Sequence, residues 1–136
     1  MAALAQDRQT ARRRNEDFEF PVAAATKIYG GSIVCLNAAG TATKGAVSTT
    51  LKAVGVADAQ ADNSAGAAGA IRVKTRRGCF QFANSASGDL IALANVGADA
   101  YIVDDQTVAL TNGGATRSVA GVIRDVDANG VWIEFK

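Results

Sequence analysis

The 136-residue chain has no histidine, one proline, one methionine, one tryptophan and two cysteines, and aromatic residues make up 6% of it. The missing histidine removes Ser-His-Asp and Cys-His catalysis together with the commonest metal ligand. The two cysteines, Cys35 and Cys79, form no CxxC pair and lack zinc-site spacing. They read as two small buried thiols of a reducing compartment, with a Cys35–Cys79 disulfide as the other option. No apolar run approaches a membrane span. The N-terminal arginines have no apolar stretch behind them, which argues against a secretory signal and makes the cytoplasm the expected compartment. With 14 basic and 13 acidic residues the net charge is +1, too even for a protein whose main task is neutralising phosphates.

Hydrophobic residues account for 49% of the chain, but many are alanine. One domain with a thin core is the expectation, gaining from contacts with other chains. From Ile28 onward the sequence reads as short strands between small polar turns. In "GSIVCLN" Ile33 and Cys35 fall on one face, Val34 and Leu36 on the other. "AIRVKT" sends Ile71, Val73 and Thr75 inward and Arg72 and Lys74 outward, and "GCFQF" sets Phe80 and Phe82 opposite Cys79 and Gln81. "VWIEF" places Val131, Ile133 and Phe135 together, after a "DANG" hairpin signal whose Asn-Gly suits a tight turn. "SGDLIALANVG" alone is ambiguous between helix and strand. The pattern predicts an all-β domain, a small barrel or sandwich of short antiparallel strands.

An internal repeat runs through it. "GSIVCLNAAGTATKGAVSTTLKAVGVAD" lies over "GADAYIVDDQTVALTNGGATRSVAGVIRD" without a gap through Val56 and Val122, matching Gly31 to Gly97, Thr41 to Thr107, Thr50 to Thr116 and Gly55 to Gly121. The pattern predicts two duplicated β-units. Gly55 and Gly121 sit inside apolar strands, where glycine marks a bulge or a close backbone approach.

Residues 1–20 differ from everything after them. "RQTARRRNEDFEFPV" carries Arg8, Arg12, Arg13 and Arg14, then acids alternating with Phe18 and Phe20, a strand signal of period two with Pro21 at its end or on an edge. Asp7, Glu16, Asp17 and Glu19 balance the arginines, which weakens a DNA-binding reading. The division expected is an N-terminal arm, residues 1–20, and a β-domain, residues 21–136.

Chemistry-bearing residues are few. Asp104 and Asp105 are adjacent, so in a strand they face opposite ways; Asp125 and Asp127 flank the "DANG" turn. The glycine-rich "NSAGAAG" and "TNGGATR" fit neither a P-loop nor a dinucleotide fingerprint. No enzyme, metal or cofactor is read from these residues. Arg72, Lys74, Arg76 and Arg77 form a basic cluster beside Phe80 and Phe82. It reads as a solvated turn, a protein-contact patch or a single-strand nucleic-acid surface.

The order "IYGGSIVCLN", "LKAVGVAD", an Asn/Gly/Ala loop, "GCFQF", "GADAYIVDDQTVALT", "SVAGVIRDVD" and "GVWIEF", residues 18–136, resembles the head decoration, or capsid cement, proteins of tailed bacteriophages. The arginine run matches no motif of that family. The resemblance implies a trimer on the outside of the virion head, assembled in the host cytoplasm, that bridges major capsid subunits. It implies no enzyme activity, cofactor, membrane or nucleic-acid contact. Arg8, Arg12, Arg13, Arg14, Phe18 and Phe20 would then be the capsid-contacting arm. The competing readings are a nucleic-acid-binding β-barrel and a tail or head-fibre component.

Overall fold

The computed structural model describes residues 2–136. Twelve strands follow one another: β1 (Asp17–Pro21), β2 (Thr26–Ile28), β3 (Ile33–Leu36), β4 (Ala42–Lys44), β5 (Lys52–Ala57), β6 (Ala61–Asn63), β7 (Arg72–Arg76), β8 (Cys79–Phe82), β9 (Asp99–Ile102), β10 (Val108–Ala109), β11 (Val119–Asp127) and β12 (Gly130–Glu134). The only helical pieces among the described residues are two 3-10 turns, Ser87–Asp89 and Leu93–Asn95, and they resolve the ambiguous segment. The fold is all-β, as the alternation predicts. No helix among the described residues is long and apolar enough to cross a membrane.

The strands form two five-stranded antiparallel sheets, β1-β7-β5-β3-β4 and β8-β12-β11-β9-β10, plus a small β2-β6 sheet. Taken in chain order, β1, β3, β4, β5 and β7 correspond to β8, β9, β10, β11 and β12, so the two large sheets have the same strand order. Hydrogen bonds repeat with it. Gly31 N–H donates to Ala57 O at 2.9 Å and Gly97 N–H to Ile123 O at 2.8 Å; Asn37 N–H donates to Thr41 O and Val103 N–H to Thr107 O, both at 3.0 Å.

The matched glycines mark a matched bulge. β3 and β5 slip register between Val34↔Gly55 and Cys35↔Ala53, and β9 and β11 slip between Ala100↔Gly121 and Tyr101↔Val119. A Cβ on Gly55 would sit 2.5 Å from Arg76 O, on β7, and Gly55 also has φ +150°. A Cβ on Gly121 would overlap Glu134 O, on β12. In both units glycine is required because the neighbouring backbone fills the side-chain position.

The sheets do not close into barrels. Each first strand ends in a single parallel bridge across its own sheet, Val22↔Ala42 and Ala83↔Thr107. Instead the sheets pack as a sandwich-like pair. One core lies within the first unit: Val22, Ile28, Val34, Ala42, Ala57, Ala61 and Val73, with Phe20, Leu36, Val54 and Ile71 against it. The second core combines Ile102, Ile123, Val131, Ile133 and Phe135 of the second unit with Ile33, Cys35 and Val56 of the first. β3 is therefore buried on both faces, Val34 and Leu36 inward and Ile33 and Cys35 toward the second unit. Each such side chain, fully buried, contributes roughly 1.5–3 kcal/mol as an upper estimate. That shared wall joins the two units into one body.

Local readings hold with three corrections. β7 alternates as expected, with Val73 and Thr75 buried and Arg72, Lys74 and Arg76 exposed. Phe80 and Phe82 turn inward to meet Phe135 edge-on, at 6.2 and 5.9 Å between centroids. The hairpin between β11 and β12 turns at Ala128–Asn129, with Asp127 paired to Gly130, so Asn-Gly is not its centre. Cys35 is buried but Cys79 is exposed, and both are free thiols; Cys79 lies opposite the inward Phe80 and Phe82, which puts it on the solvent face. The arm stops short of residue 20. Asp17–Pro21 is β1, the edge strand that its alternation predicts, in full register with β7, so of residues 2–20 only 2–16 lie outside the sheets.

Candidate functional site

The arm and the face it joins are the most distinctive surface. Residues 2–16 form no helix or strand and are exposed throughout. Their composition explains this: alanine, glutamine, arginine and acid leave only Leu4 to bury. The arm enters the fold where Arg77 N–H donates to Glu16 O at 2.7 Å. Arg13 bends back so that its guanidinium lies 4.4 Å from the centroid of Phe18. Arg8, Arg12 and Arg14 enter none of the ion pairs found among the described residues.

Phe18 and Phe20 do not extend the arm. They stack at 6.4 Å on the inner face of β1, and Phe20 packs on the first core. Thr75 Oγ1 donates to Phe18 O at 2.9 Å from across the strand pair. Period-two alternation in an edge strand puts both rings on the inner face, where they are half-buried and root the arm.

The basic cluster lies across β7, with its acids interleaved. Antiparallel register sets Glu19 opposite Lys74 and Asp17 opposite Arg76. Glu19 lies 3.7 Å from Arg72 and 3.9 Å from Lys74, and Asp58 lies 2.9 Å from Arg76. With Arg13 and Phe18 these side chains line an open groove of about 510 Å³. Exposed pairs of this kind contribute about 0–1 kcal/mol each, so their main effect is on pattern: the face alternates in sign and is not a cationic stripe. Arg77 is half-buried at the root of the arm, apart from that alternation.

Three of the four acids singled out in the sequence serve turns, while Asp105 accepts from Ser32 Oγ of the first unit at 3.5 Å. Asp104 accepts from the Gln106 N–H at 2.9 Å, and Asp125 accepts from the Val126 N–H at 2.8 Å. Asp127 accepts from Trp132 Nε1 at 2.9 Å, Gln81 Nε2 at 3.0 Å and Asn129 N–H at 2.8 Å. The Trp132 bond, then Asn129's, holds the Asp127 carboxyl below the usual carboxylate range. No cluster of three or more metal-ligating side chains occurs among the described residues. Burial pushes the Cys35 thiol up to about 12. Cys79 is also raised, first by partial burial and then by the Glu134 charge.

Sequence reasoning missed one surface. Leu90, Leu93 and Val96, in and beside the 3-10 turns, are 50%, 64% and 46% exposed, more than a folded core leaves in one short segment. The signal was present in "DLIALANV", which has more apolar residues than one strand face can bury. No family model, curated protein or solved structure matches the chain.

Proposed function

We propose that this chain is a structural virion protein that binds the outside of a phage head and reinforces it by bridging major capsid subunits. It acts as a non-catalytic, cofactor-free trimer, away from the packaged nucleic acid and from membranes, and assembles in the host cytoplasm. The observation that carries this reading is the exposed arm, residues 2–16, with Arg8, Arg12 and Arg14 outside the ion pairs found among the described residues, rooted in a β1 edge strand whose own aromatics are half-buried. An arm on a stiff two-sheet platform can lie across an adjoining subunit. Its guanidinium groups form charge-assisted, bidentate bonds to carboxylates. Ordering the arm costs roughly 1–2 kcal/mol per residue in backbone freedom, so it suits a large shell surface. The order of segments over residues 18–136 supplies the family to which the reading points.

Co-sedimentation with expanded heads lacking a decoration protein tests it. The full chain is expected to pellet with the heads, and a chain lacking residues 2–15 to stay in the supernatant while melting as the parent does. Failure of the full chain to bind any head form removes the proposal; equal binding by both chains removes the arm from it. Binding to single-stranded DNA that falls steeply with salt would instead favour a nucleic-acid surface.

A further inference from the structure

The two units meet at an open cleft of about 430 Å³. Tyr29, Gly30, Gly31 and Ser32, between β2 and β3, line one side, and Asp105 and Gln106, at the tip of the β9–β10 hairpin, line the other. A backbone bond fixes the two sides together, Ile33 N–H donating to Asp105 O at 2.8 Å. No residue of the arm takes part.

The turns there do not need these side chains. The repeat sets Tyr29, Ser32, Asp105 and Gln106 over Asn95, Ala98, Ala39 and Gly40. The backbone turn is the same with either set: Ser32 N–H donates to Tyr29 O at 3.1 Å, and Ala98 N–H to Asn95 O at 3.0 Å. Asp104, not Asp105, caps the hairpin tip. Asp105 enters none of the ion pairs found among the described residues, and its carboxylate accepts only a long bond from Ser32 Oγ, at 3.5 Å. Ser32 is 6% exposed, and a hydroxyl buried for so long a bond gains from a better partner. The Gln106 side-chain amide and the Gly30 N–H have no partner among the described residues. Tyr29 adds an aromatic surface, 54% exposed. Lys27 Nζ lies 5.0 Å from its ring centroid but does not line the cleft, so it leaves the cleft side of the ring free.

An aromatic face beside a few free, convergent donors and acceptors matches one ligand class. A sugar ring has a C–H face that packs on a π-system, and a rim of hydroxyls that each donate and accept. Asp105 supplies acceptors, Gln106 both functions, and the Gly30 N–H a donor. An apolar ligand would leave these groups unsatisfied, and an anion would meet the unpaired Asp105 charge. We propose that the cleft binds a neutral hexopyranose, its C–H face on Tyr29 and its hydroxyls on Asp105, Gln106 and Ser32. Small-molecule sites favour such junctions between packed bodies. The site does not rest on the shell reading.

Amide NMR titration of the full chain with the methyl glycosides of glucose, galactose, mannose and N-acetylglucosamine tests this. At least one should bind with a dissociation constant of about 1 mM, as suits a small ligand with few contacts. The Gly30, Gly31, Ser32 and Gln106 signals should move, with the Gln106 side-chain amide, while those of β7 and the arm stay in place. Tyr29→Ala should weaken binding at least about tenfold, and Tyr29→Phe, which keeps the ring, should bind as the parent does. Gln106→Ala should weaken it less. Tyr29 and Gln106 are exposed, so all three variants should melt as the parent does. Methyl glucuronide should bind more weakly than the neutral sugars, and Asp105→Asn should narrow that gap. Cleft signals that move with none of the four sugars overturn the proposal. So does binding that Tyr29→Ala leaves unchanged, or glucuronide binding as tight as that of the neutral sugars.

Discussion

The first and second β-units share a strand order, a glycine-marked bulge and a set of backbone bonds, yet differ in filling, cover and charge. At matched interior positions Val34 corresponds to Ala100, Ala42 to Val108 and Ala57 to Ile123. The first unit makes up for its smaller side chains with the β2-β6 cover and with Phe20 from β1. The second fills its interior with isoleucine and phenylalanine and takes in Ile33, Cys35 and Val56 from its neighbour. Backbone geometry is thus the conserved requirement of the unit, and side-chain volume is free to move between a core and its cover.

The largest effect should come from exchanging volumes at a matched site. Ile123→Ala empties a fully buried position and should cost about 2–5 kcal/mol. Ala57→Ile overfills its counterpart and should cost about 1–3 kcal/mol. Chemical denaturation reads both; a neutral Ala57→Ile would mean the first core has slack that its cover does not use. Next come the bulges. Gly55→Ala and Gly121→Ala drive a Cβ into Arg76 O and Glu134 O, and each should cost about 2–3 kcal/mol. A harmless change at either one would break the equivalence of the units.

Acid should separate the units less strongly. Asp127 ties the hairpin of the second unit through Trp132 and Gln81, whereas Asn63 ties the first, donating to Ala23 O and Ala67 O at 2.9 Å. Asparagine does not titrate. The Asp127 pKa is depressed in the folded chain, so its contribution is complete above the unfolded value of about 3.9 and is lost as pH falls through the lower folded value. Trp132 fluorescence and β11–β12 amide exchange should therefore change before β5–β7 exchange does. Asp127→Asn keeps an acceptor oxygen and should remove that early step. The smallest effect concerns the thiols. Cys79 should label in the native chain, slowly at neutral pH because its pKa is raised, while Cys35 should label only on global unfolding.

Much of this was legible in residue order. Alternation in "AIRVKT" and "VWIEF" assigned faces correctly, and the ungapped repeat located both bulges before any strand pairing was known. "TKI" and "ADN" carry no signal as three-residue strands; they exist because each supplies the other's hydrogen bonds across the β2-β6 pair. The alternation in "DFEF" predicts a strand, but nothing local shows that β7 supplies its partners. The basic cluster looked unbalanced for the same reason: Glu19 and Asp58 are distant in sequence and adjacent only through register and packing. Cys79 looked like a core thiol because residue type, not face, set that expectation.

A density map of expanded heads saturated with the full chain tests the shell reading most directly. The account predicts the protein at defined symmetry positions on the outer surface, with residues 2–16 ordered across a major capsid subunit and Arg8, Arg12 and Arg14 beside its carboxylates. Heads that carry no added density, or density in which the arm touches no capsid subunit, would contradict it.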